Sequence, residues 1–231
     1  MFWISTSLFT IRSVQDFTTA VYRLSSKFLI FIAFACGWCL LSGGTLHAED
    51  GQLSPKESRL LTDTYRYVES LEPKKLKIDK KTYQTHSNFE KIFNFPFSGK
   101  KLKHWVQSRI KSYSVGSTGD YIAYFHQNEV VLGKQFFQLS PLDRFLVLLH
   151  EARHADGKSY SHTECPDQYK FLNPRDLRIS PAKQKACDNR EDGGYGISAS
   201  FLFELGAYGY LSHSETAYRY NSERVRIILE D

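Results

Sequence analysis

The 231-residue sequence predicts an α+β fold, mostly helical, with one small antiparallel β-hairpin. Helical periodicity recurs in stretches that open near Ser54, Lys100, Ser140, Ile197 and Glu215. Two short β-prone runs are joined by Gln127-Asn128, the pattern of a hairpin. A hydrophobic content of 42%, with 15% aromatic, supplies enough apolar surface for a packed core and excludes a disordered chain.

Phe28 to Leu41 is a nearly unbroken apolar run behind Arg23 and Lys27, followed by small residues up to Ala48. Too short for a comfortable membrane span, the run suits the core of a signal peptide. Residues 1–48 therefore read as a signal peptide with an atypically long leader, either removed after Ala48 or kept as an anchor. Residues 49–231 read as a single domain. The expected location is secreted, periplasmic or at the cell envelope, with no stable membrane insertion of the mature domain unless the leader is retained. Cys36 and Cys39 belong to the leader, which leaves Cys165 and Cys187 as an even pair for one disulfide.

The formal charge of +5 falls to +3 beyond residue 48, because Arg12, Arg23, Lys27 and Asp16 lie in the leader. No long basic run carries interleaved aromatics, and the lysines between Lys74 and Lys81 read as a solvated face. No nucleic-acid partner is expected.

Ser54-Pro55-Lys56-Glu57 is a capping box, and Leu60, Leu61, Thr64, Tyr67, Val68 and Leu71 continue at helical spacing until Pro73. Residues 74–98 carry lysines, then Phe89, Phe93, Phe95 and Phe97, and have no clear period. Leu102, Trp105, Val106 and Ile110 predict a helix over 100–113, with a flexible connector over 114–119. Tyr121–His126 and Glu129–Leu132 form the predicted hairpin. An exposed edge strand there would accept an extended peptide by strand addition, although a hairpin that only covers the core has the same pattern.

The next helix carries the chemistry. Ser140 is its N-cap, Pro141 its first residue, Asp143 complements the dipole, and Gly157 stops it. Its sequence includes His150-Glu151-Ala152-Arg153-His154. Residues four apart share a helix face, so His150 and His154 can address one metal ion while Glu151 projects beside them. That set suits Zn²⁺, with Glu151 as general base toward water. Arg153 and Asp156 are expected to form a local ion pair.

A catalytic zinc needs a third protein ligand, and the sequence offers alternatives. His162 is one. The run His-Glu-x-x-His-x-x-Gly resembles the metzincins, but Tyr160 stands where their third histidine falls and no methionine follows. Glu204, on an apolar helix, would give a gluzincin-like site, and Asp188 is a further carboxylate. Asp192-Gly193-Gly194-Tyr195-Gly196 resembles the aspzincins, the deuterolysin-like zinc endopeptidases, in which His-Glu-x-x-His is followed by Gly-Thr-x-Asp-x-x-Tyr-Gly. The chain departs from that pattern at Asn189-Arg190. The resemblance implies Asp192 as third ligand, Tyr195 as stabiliser of the transition state, and a zincin-like fold with the hairpin beside the metal-binding helix. The loop-like span from Gly157 to Gly196 would be braced by the disulfide.

These residues predict an exported zinc metallopeptidase acting on a peptide or protein substrate. The alternatives are a non-catalytic envelope protein with a vestigial zinc site, and a zinc hydrolase of a non-protein amide.

Overall fold

The computed structural model describes residues 51–167 and 182–229. The predicted leader, residues 1–48, lies outside the described residues. Helix α1 spans Pro55–Glu69, and both halves of the capping box form: Ser54 Oγ accepts from the Glu57 N–H, and the Glu57 carboxylate accepts from the Ser54 N–H. The span without a clear period forms two short helices, α2 (Lys80–His86) and α3 (Phe89–Phe93). Its phenylalanines explain why no period was visible. Phe89, Phe93, Phe95 and Phe97 pack among themselves in tilted and edge-on pairs, and Phe93 meets Trp105, so they form an aromatic knot rather than one helical stripe.

Helix α4 (Gly99–Arg109) is shorter than the sequence predicts. Ile110 turns extended, and Ser112–Val115 forms strand β1 where a helix end and a connector were expected. Tertiary pairing decides this: β1 lies parallel to β3 (Glu129–Leu132), with Tyr113 opposite Val130. Strand β2 (Ala123–His126) pairs with β3 antiparallel, as the hairpin pattern predicts. Gln127 and Asn128 take positive φ of 48° and 69°, the turn whose twist matches its flanking strands. The sheet order is β1-β3-β2, so the sheet is mixed rather than purely antiparallel. Gly51 bridges the outer edge of β1 at Val115.

Helix α5 (Pro141–His154) is the centre of the domain and packs against α1, α4, α6 (Gly194–Ala207) and β2. Ser140 caps it by accepting from the Asp143 N–H. Phe145, Leu148, Leu149 and Ala152 are fully buried against Val68, Leu102, Ile197, Phe201 and Leu205. At about 1.5–3 kcal/mol for each large apolar side chain, this packing outweighs any contribution from helix propensity, which is a few tenths per residue. The His-Glu-x-x-His segment thus rides on the most firmly held element.

Beyond α5 the expected loop contains a second, two-stranded sheet, β4 (Thr163–Glu164) with β5 (Lys185–Cys187). Cys165 and Cys187 form the predicted disulfide. Helix α7 (His213–Arg224) closes the described chain and packs on α6. Among the described residues, no helix is long and apolar enough to cross a membrane.

Candidate metal centre

Three histidines converge. Candidate ligand atoms of His150, His154 and His162 all lie within 4.8 Å of one another. The first two come from the last turn and a half of α5, one helical repeat apart, and His162 enters from the residue before β4.

Hydrogen bonds fix which nitrogen each ring offers. His154 Nδ1 is 2.8 Å from the Tyr160 carbonyl, which can only accept, so Nδ1 carries the proton. His162 Nδ1 is 2.8 Å from Asp188 Oδ1 and donates to that carboxylate. The backbone of Gly194 holds a ring proton of His150. His150 Nε2 and His162 Nε2 then face each other at 3.0 Å. With His162 Nδ1 protonated, its Nε2 carries a lone pair that either accepts from His150 or turns to a cation. This arrangement, with each far nitrogen held by an acceptor, is the outer shell that metal-binding histidines require. Burial, then the neighbouring His162, lowers the pKa of both His150 and His154, which keeps them in the neutral form that binds metal.

Glu151 follows His150 on α5, and its carboxylate meets the backbone of Phe125 on the sheet. Burial pushes its carboxyl up to about 8, against a hydrogen bond from the backbone of Phe125 that favours the carboxylate. Phe125 lies on β2, whose other neighbour is β3, so that bond comes from the outer edge of the sheet.

Asp188 does more than hold His162. Its Oδ2 accepts from the Tyr195 N–H at 2.9 Å, in the first turn of α6. Its own backbone bridges to Arg226 and Ile228 beyond α7. The Tyr195 ring packs 4.7 Å from His150 and 5.2 Å from His162, and its hydroxyl accepts from Arg226 at 3.1 Å. Burial pushes the phenol up to about 12, with Arg226 pulling the other way.

Asp192 and Glu204 stand elsewhere. The Asp192 carboxylate accepts from Arg153 at 2.7 Å and from Arg190 at 2.9 Å, and it is absent from the group of converging ligand atoms. Arg153 also forms the expected pair with Asp156, at 2.8 Å. The guanidinium groups of Arg153 and Arg190 both lie over the Tyr160 ring, 4.0 and 4.7 Å from its centre. This stack anchors the residue whose carbonyl orients His154. Glu204 is buried where Tyr83 and Ser87 donate to it, at 2.9 and 2.5 Å. The sequence reading weighed Asp188 as a ligand, whereas its place is behind a ligand. Thr163 lies opposite Cys187, which sets His162 across from Asp188, a register the cysteine spacing alone does not specify.

No protein-family model, curated protein or solved structure matches this chain.

Proposed function

We propose that the protein is an exported zinc metallopeptidase of zincin type, in which His150, His154 and His162 hold the metal. The observation that carries this reading is the convergence of three imidazoles, two of them on the helical turn that also bears Glu151. Three neutral nitrogen donors suit Zn²⁺ and leave a position open, unlike the closed four-ligand sets of structural sites. Such an ion supplies Lewis acidity and makes water a nucleophile near neutral pH.

The chain's own residues supply the rest. Glu151 receives the proton of the attacking water and passes it to the leaving amine. Burial holds its carboxyl up, and a dication beside it would favour the carboxylate that takes the proton. An extended peptide would run beside β2, the outer strand of the three-stranded sheet, bringing its scissile bond near Glu151. Tyr195 and Arg226 act together: the guanidinium donates to the phenolic oxygen, leaving the phenol proton free to stabilise charge on a carbonyl oxygen. The apolar leader and the cystine support export to an oxidising compartment.

Hydrolysis of an unfolded polypeptide such as reduced casein tests the proposal. The zinc-loaded wild type is expected to cleave it. Glu151→Ala should keep its zinc and lose about a hundredfold or more in rate. Full activity in Glu151→Ala would overturn the mechanism, and a zinc-loaded wild type that cleaves no polypeptide would overturn the substrate class.

A further inference from the structure

The three histidines are not held equally. His150 and His154 belong to α5, whose buried face is part of the main core. His162 precedes a strand of only two residues, Thr163–Glu164, paired with three. Among the described residues, the β4–β5 region has its own small apolar cluster, in which the two half-cystines are buried and Ala186 and Ile228 pack against them. A two-stranded ribbon with so little buried surface is marginal in water.

The two strands also differ in anchorage. The β5 end is fixed: Asp188 caps Tyr195 through Oδ2, and its backbone bonds with Arg226 and Ile228. The β4 end is tied to β5 through the Thr163–Cys187 register, the Cys165 backbone bonds to Gln184 and Lys183, and the cystine. The disulfide thus carries the rigidity of α6 and α7, by way of Cys187 and Asp188, to the strand that presents His162.

Resting on the three-histidine reading above, we propose that the Cys165–Cys187 cystine delivers the third ligand, so that a divalent metal is bound at three-ligand strength only by the oxidised protein. In a reducing compartment a dithiol breaks the S–S bond, giving two thiols by transfer of two electrons and two protons and becoming a disulfide itself. The histidine site is then left with the two α5 ligands alone, whatever zinc the freed thiols take up for themselves. Export and oxidation would accordingly precede full metal loading.

Zinc competition against a chromophoric chelator tests this with four full-length proteins: wild type, Cys165→Ala/Cys187→Ala, His162→Ala, and the triple variant. Alanine replaces cysteine because free thiols would themselves bind zinc. The paired cysteine variant should bind zinc as weakly as His162→Ala, about tenfold or more below wild type, and the triple variant no more weakly still. Wild-type affinity in the paired cysteine variant would overturn the proposal. So would an equal loss from cysteine removal with His162 present or absent, because that pattern marks general damage. A wild type that takes up no zinc would instead remove the three-histidine reading, and this inference with it.

Discussion

A methyl group placed on Gly194 would stand 2.7 Å from Cε1 of His150. The first turn of α6 passes so close beneath the imidazole that only hydrogen fits, and the same residue's backbone holds a ring proton. Glycine is there for close approach, not for a left-handed backbone. Gly194→Ala should therefore swing His150 away and weaken zinc binding by about tenfold or more, comparable to loss of an outer-shell partner. Helix propensity works the other way, favouring alanine by about 1 kcal/mol inside a helix. Zinc affinity and thermal melting measured together separate the two effects: affinity should drop without a matching collapse of the melt.

Asp192 is predicted to contribute stability at neutral pH that is lost in acid, and not to hold metal. Burial alone would raise its carboxyl, but the Arg190 hydrogen bond, with the charges of Arg153 and Arg190, overrides this and holds it below the ordinary range. A carboxyl depressed by folding stabilises the protein above its unfolded pKa, and that contribution is lost as pH falls through the folded value. Asp192→Asn should cost about 1 kcal/mol or less at neutral pH, since the side chain remains 31% exposed. The gap between wild type and variant should close in acid. Denaturant melts across that range check the sign, and a gap that widens on acidification would contradict it.

The hairpin turn can be improved. Gln127 and Asn128 both sit at positive φ, where Asn-Gly is the preferred pair and glutamine is a poor first residue. Replacing them by Asn and Gly should raise stability by about 0.5–1 kcal/mol, read as a higher melting midpoint. Zinc content should not change.

Local signals made much of this molecule legible in sequence. The Ser54 capping box, the Ser140-Pro141 start of α5 and the Gln-Asn turn all act within a few residues, and each appears where it was read. Apparent errors came where distant pairing decides the outcome. Ser112–Val115 is a strand because β3 lies beside it, and nothing local in Ser-Tyr-Ser-Val reports that neighbour. At the site, His150, Glu151 and His154 were visible because helical spacing places them. Asp192 drew attention through a short motif, yet two arginines distant in sequence or adjacent in the loop take its carboxylate. His162 and Asp188 are joined across a disulfide-linked pair of strands, and strand register is set by tertiary contacts that no local pattern encodes.

The central claim is that His162, and not Asp192, joins His150 and His154. Zinc-to-protein ratios of wild type, His162→Ala and Asp192→Ala, purified identically and dialysed against a mild chelator, test it most directly. About one zinc per chain is expected in wild type and in Asp192→Ala, and a clear deficit in His162→Ala. Zinc retained by His162→Ala and lost from Asp192→Ala would contradict it.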